Sequence, residues 1–162
     1  ARDASSAQVR AAVPQGLKLV LDNPLSHPTL RKALPKLRHL LHDTSATVRA
    51  DYIELLQRVQ NVRGMRFFHI CPIQELLARL SKDEMRVTRG LITLLMPSFF
   101  PQDAKAKATD LVARVAKCMQ AHPAAGLAFY AGAHVQASVG SVARLVIILR
   151  KAVLRAIAAT KD

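Results

Sequence analysis

Apolar residues along the chain fall at helical spacing and break at short polar turns. Leu37, Leu40 and Leu41 are followed by the polar run His42-Asp43-Thr44-Ser45, after which Val48, Tyr52, Ile53, Leu56 and Val59 resume the pattern. Positions three and four apart share one face of a helix, so this stretch predicts helix, short turn, helix. The pattern recurs 39 residues on, where Leu37, Leu41, Ile53, Leu55 and Leu56 return as Leu76, Leu80, Ile92, Leu94 and Leu95. Val9-Arg10 stands 39 residues before Val48-Arg49, and Val87 a further 39 on, with Arg89 two places later. Val13 and Leu17 fall in register with Tyr52 and Leu56.

Ser81-Lys82-Asp83-Glu84 has the form of a capping box and predicts a helix from there to near Pro97. After residue 110 the register loosens. Val115 and Met119 continue the first-helix positions and His122-Pro123 marks a turn, but Gly126 falls where a Val is expected. Residues 141–159 predict a last helix with Val142, Leu145, Val146, Leu149, Val153 and Ile157 on one face and Ile147, Ile148 and Leu154 off it. Pro14 and Gly16 weaken the first helix.

A repeat of about 40 residues built from two helices is the signature of HEAT and armadillo arrays, in which each unit buries its apolar face against the next. Pro35 in the first helix, Asp43 in the turn and Val48-Arg49 opening the second favour a HEAT unit. The expected fold is therefore an all-α HEAT-repeat α-solenoid of about eight helices. It is one segment over 1–162, with units at roughly 1–27, 28–66, 67–104 and 105–162. The opening stretch reads as a turn and second helix without a partner, which predicts an excerpt of a longer array.

Composition agrees with helices. Hydrophobic residues make up 51% of the 162, enough for a core, while aromatics are 4% and Trp is absent, which disfavours a sheet protein. Two cysteines, Cys71 and Cys118, are too few for a disulfide framework. Residues 118–143 carry no charge, yet Gln, Ser, His, Pro and three glycines make them too polar for a membrane span.

Charge changes the picture more. With 24 Lys+Arg against 11 Asp+Glu the net charge is +13, and residues 104–161 hold nine basic residues and one acid, Asp110. Arg31, Lys32, Lys36 and Arg38 crowd one helix and its approach, and Arg58, Arg63 and Arg66 flank a turn. Arg144, Lys151 and Arg155 fall within about 40° of one another on the last helix at 100° per residue. Ordinary solvated faces mix signs. This imbalance points to phosphate contact, and the candidate DNA-binding residues are Lys36, Arg38, Arg63, Arg66, Arg144, Lys151 and Arg155. No groove-reading element accompanies them, so base specificity is not expected.

Catalytic chemistry finds little support. No glycine loop is followed by Lys-Ser or Lys-Thr, and carboxylates are too dispersed for an acid–base pair. His39, His42 and Asp43, or His69 with Cys71, fall short of a metal set. Cys118 reads as a buried small hydrophobe, and Cys71, before Pro72 at a helix start, is a weak nucleophile candidate. No catalytic residue, metal or cofactor is expected.

At KLVLDNPLSHPTL, LPKLRHLLHDTSATVR, FFHICPIQELLARL and HPAAGLAFYAGAH the sequence resembles the G-type HEAT subunits of condensin II, most clearly from Leu17 to Ile157. Residues 101–117 match only loosely, and Pro14 and Gly16 depart from the pattern. The resemblance implies a scaffold rather than an enzyme, acting in the nucleus on mitotic chromosomes. Its implied partners are the kleisin and SMC subunits of condensin II, DNA or chromatin, and methylated histone tails, for which Tyr52, Phe67, Phe68, Phe99, Phe100, Phe129 and Tyr130 are the available cage aromatics. The expected function is a non-catalytic HEAT scaffold that binds kleisin and contacts DNA without sequence preference. The alternative is a protein-interaction module that docks an acidic peptide or histone tail without touching DNA.

Overall fold

The computed structural model describes residues 6–103 and 105–160. Among them every regular element is helical, as an all-α HEAT-like array requires: α1 (Ala7–Val20), α2 (His27–Ala33), α3 (Ala46–Gln60), α4 (Phe67–Ile70), α5 (Ile73–Leu80), α6 (Met85–Phe99), α7 (Ala108–Ala121), α8 (Pro123–Ala133) and α9 (Val139–Ala159), with 3-10 segments at Pro24–Ser26 and Leu34–His42. The chain forms two compact units, Ala1–Leu94 and Leu95–Asp162, whose boundary falls inside α6.

In the first unit, α3 is the central helix. Val48, Tyr52, Ile53, Leu55, Leu56 and Val59 are all essentially sealed from solvent, and α3 packs against α1, the 3-10 segment Leu34–His42 and α4, with Gly90 of α6 close to Ile53. The first helix expected before the turn at residue 43 is instead α2 continued as 3-10. Pro35 lacks an N–H, and its ring crowds the carbonyl four residues back, and here the chain tightens from α to 3-10. By contrast α1 runs intact through Pro14 and Gly16. The box at Ser81 does not open α6. Ser81 closes α5, and α6 starts at Met85 and runs past Pro97 to Phe99. Asp83 is the residue that serves the turn, its carboxylate accepting from the Glu84 N–H at 2.9 Å.

The repeat is visible as a ladder of side-chain bonds. Arg10 donates to Asp43 at 2.7 and 2.9 Å, and Arg49, one repeat on, donates to Asp83 at 2.6–3.1 Å. Gln15 donates to Asp51 and Lys18 to Glu54, both at 2.8 Å. From α3, Gln57 reaches the Gly90 carbonyl at 2.8 Å and Gln60 that of Leu94 at 3.3 Å. These links join residues 33 to 36 apart, so α1 sits on α3 in the same register as α3 sits on α6.

Asp83 is fully enclosed, held by Arg49, by Arg79 and by the Glu84 N–H. Burial alone would raise its pKa, but those bonds outweigh burial and hold the carboxyl below the usual range. Arg49 also donates to the Asp43 and Thr44 carbonyls at 2.8 and 3.1 Å, tying the turn to the helix that follows it. The hydrogen bond from Arg10 holds the Asp43 carboxyl down as well, helped by the Ser45 N–H and opposed by partial burial.

The second unit pairs α7 with α8 and lays α9 along α7. Gly126 is where the helix pair closes: a Cβ there would lie 2.5 Å from Met119 Sδ and 3.2 Å from Met119 Cα. The missing Val of the repeat pattern is thus a close helix crossing. His122 caps α8, its Nδ1 accepting from the Ala125 N–H at 3.2 Å. On α9 the buried side differs from the sequence expectation. Val142, Leu145, Ile148 and Leu149 face the unit, whereas Val146, Val153 and Ile157 lie with Ile147 and Leu154 on the exposed side.

Candidate nucleic-acid interface

The basic residues sort into those with intrachain partners and those without. In the first unit Arg10, Lys18, Arg38, Arg49, Arg58, Arg79 and Arg86 each face a carboxylate. Arg38 is bound by Glu75 through both nitrogens of its fork, with Nε donating at 2.8 Å. Arg31, Lys32, Lys36, Arg63 and Arg66 are exposed, and among the described residues no carboxylate pairs with them.

Local geometry gathers these unpaired cations along one edge. Lys32 and Lys36 line one shallow groove with Pro28, Thr29 and Ala33. The turn after α3 is bent at Gly64, whose φ of +79° a side chain would resist. Arg31 covers that glycine, its Nη2 lying 3.0 Å from where a Cβ would stand. Arg63 and Arg66 flank the same turn, pinned by buried Met65 and Phe67. α4 then packs against the 3-10 segment that carries Lys36. Like charges in water at such a site raise the local potential, and with no carboxylate to compensate they favour an anion.

Of the seven residues predicted from sequence, the structure brings Lys36, Arg63 and Arg66 to this edge. Lys151 and Arg155 are exposed on α9 in the second unit. Arg144 is engaged otherwise, donating to the Asp103 carbonyl at 3.1 Å and also to that of Ala106. Arg31 and Lys32 belong to the edge although the sequence set omits them. The signal that would have found them is the contrast with neighbours whose partners stand about one repeat away, as Glu75 does for Arg38.

Other candidate chemistry meets plain structural explanations. No group of three His, Cys, Asp or Glu side chains is placed to hold a metal among the described residues. His39 Nδ1 bonds the Lys36 carbonyl at 3.0 Å, and His69 sits edge-on to Phe68. The Cys71 thiol is no stabilised thiolate: burial, and then the charge of Glu75, push its pKa up to about 12. Burial raises that of Cys118 to about 11. Phe99, Phe100, Phe129 and Tyr130 converge, with ring centroids 5.0–6.5 Å apart. All but Tyr130 are buried, however, and its hydroxyl donates to the Phe99 carbonyl at 3.0 Å, so the cluster is core rather than an open cage. No helix among the described residues is long and apolar enough to cross a membrane.

The chain has relatives among known proteins at the level of sequence. The chain is 38% identical over 151 residues to condensin-2 complex subunit G2 of Xenopus laevis, covering 93% of this chain. It is 38% identical to the same subunit of Mus musculus and 37% to that of Homo sapiens, each over 148 residues and 91% of the chain. The chain is a relative of the condensin II G2 subunit. It spans 13% of the length of these condensin-2 relatives. No family model matches it, and no solved structure does. The resemblance read from the sequence is therefore borne out at the level of the subunit.

Proposed function

We propose that this chain is part of the non-catalytic HEAT scaffold of a condensin-type SMC complex, acting on chromosomes in the nucleus. In this reading it contributes to mitotic condensation by binding kleisin and by touching DNA through its phosphates. The similarity to condensin II G2 subunits supports the complex. The observation that carries the DNA contact is the set of unpaired cations Arg31, Lys32, Lys36, Arg63 and Arg66 along one edge of the first unit. Lys151 and Arg155 supply a further exposed patch. Arg38 and Arg144 act by fixing the chain's own backbone and side chains.

Point charges on an open edge hold phosphates without reading bases. Duplex affinity should therefore fall steeply with salt, by about 0.9 in log affinity per log unit of salt for each phosphate neutralised, and should not depend on sequence. Reversing Lys36, Arg63 and Arg66 together to Glu should flatten that slope by roughly two to three units. Unchanged affinity of this variant at low salt overturns the assignment. The same cations would also suit an acidic peptide. That second reading takes first place if duplex DNA fails to bind while an acidic kleisin fragment does.

A further inference from the structure

Of the seven Phe and Tyr side chains, only Phe68 is exposed, at 41%, and it stands beside the unpaired arginines of the basic edge. The local backbone puts it there. Arg66 is extended, with φ −131° and ψ 118°, so neighbouring side chains alternate in direction. Met65 and Phe67 are buried, while Arg66 and Phe68 face solvent. Phe67 and His69 meet the Phe68 ring at 75° and 87°, with centroids 5.6 and 4.9 Å away. Both contacts are edge-to-face, so neither neighbour lies parallel on the ring. This position is not an end of the stack. α4 packs on α3 and on the 3-10 segment Leu34–His42, and α5 follows it in the same unit.

The cations come from the turn just before the ring. Val62 to Met65 close on a hydrogen bond from the Met65 N–H to the Val62 carbonyl at 3.1 Å, and Gly64, third in the turn, takes the positive φ that such a position requires. Arg63 lies in this turn, Arg66 follows it, and Arg31 reaches over Gly64. None of the three faces a carboxylate among the described residues. Their charge calls for an anion, and the open ring selects which one. An acidic peptide answers the arginines but brings no flat partner for Phe68. A methylated lysine would meet like charge. Duplex DNA offers its phosphates, yet its bases are already stacked on one another. A single strand carries both groups in every nucleotide, and any base can stack, since each has a π face. We infer that the turn at Gly64 binds single-stranded DNA, with Arg31, Arg63 and Arg66 on its phosphates and one base stacked on Phe68. This inference rests on the phosphate contact proposed above and adds a base contact without sequence preference.

The test titrates the full chain, by fluorescence anisotropy, against a labelled oligothymidylate of about 12 nucleotides, the same strand made abasic throughout, and a duplex of equal length. The thymidylate strand should bind several-fold tighter than the abasic one, although their charge is equal. Phe68→Ala should weaken thymidylate binding about tenfold and leave abasic and duplex binding unchanged. It should also keep the salt slope, because no phosphate contact is lost. Phe68→Tyr should bind like the parent chain, whereas Phe68→Leu, which keeps the apolar bulk without a π face, should behave like Phe68→Ala. That pair separates stacking from a loss of folding. Four results overturn the proposal: equal binding of thymidylate and abasic strands; Phe68→Leu binding as well as Phe68→Tyr; a uridylate strand binding tighter than the thymidylate; or an acidic peptide held more tightly than the strand and released by Phe68→Ala. Arg63→Glu with Arg66→Glu should weaken strand and duplex alike. If no nucleic acid binds, the phosphate contact and the base contact fail together. If strand and duplex both bind and Phe68→Ala changes neither, only the base contact fails.

Discussion

Individual charges in this chain do different work according to whether a partner waits for them. Asp83 is enclosed with Arg49, and removing its charge leaves the Arg49 guanidinium buried without a facing carboxylate. Asp83→Asn should cost about 3 kcal/mol of unfolding free energy, checked by urea denaturation. The lowered pKa values of Asp43 and Asp83 also set an acid limit. A group whose folded pKa lies below its unfolded value contributes stability that is fully present above the unfolded value, near 3.9 for Asp, and is lost as pH falls through the folded one. Stability from Asp43 and Asp83 should hold from neutral pH down to about pH 5 and then drop, and Asp83→Asn should flatten that drop. The thiols are the reverse case. With pKa values pushed up to about 12 and 11, Cys71 and Cys118 should resist iodoacetamide at pH 8 until denaturant opens the fold, which mass spectrometry reads directly. Charge at residues such as Arg38, Arg63 and Arg144 is plain from sequence, but partnership is not. It depends on a carboxylate or carbonyl brought from 37 to 41 residues away, or on the lack of one.

At the scale of elements, the repeat was legible because Leu, Ile and Val recur at helical spacing through α3, α5 and α6, at a period that polar turns interrupt. Legibility failed at two kinds of place. Pro35 and Pro72 alter the backbone itself, converting one expected helix to 3-10 and cutting α4 off as a single turn, which side-chain periodicity does not register. On α9 the failure has another cause: apolar residues occupy both sides, so the sequence lacks the polar contrast that tells the packed side from the open one. The crossing of α7 and α8 at Gly126 was visible only as a missing Val. Gly126→Ala should destabilise the second unit by about 1–3 kcal/mol in thermal or urea melts, because the Met119 backbone as well as its side chain stands in the way.

Across the whole molecule, burial is uneven and opening should follow it. α3 has nine buried residues and α9 one, Leu145. Hydrogen exchange should therefore leave the α3 amides protected longest and release Arg150–Ala159 early, an order that mass spectrometry resolves. An α3 that exchanged before α9 would contradict the packing described above. The relationship to condensin II G2 subunits and the unpaired basic edge belong to this scale too, since neither depends on any single helix. The ladder of side-chain bonds carries a further consequence. Arg10 and Arg49 are 39 residues apart but their acceptors, Asp43 and Asp83, are 40 apart, so the two rungs already differ in length by one residue. Each rung measures its own gap and passes no error to the next. Chains built this way can gain or lose a residue in a turn, or a whole repeat, and keep their stacking, so length itself becomes a property that evolution can edit locally.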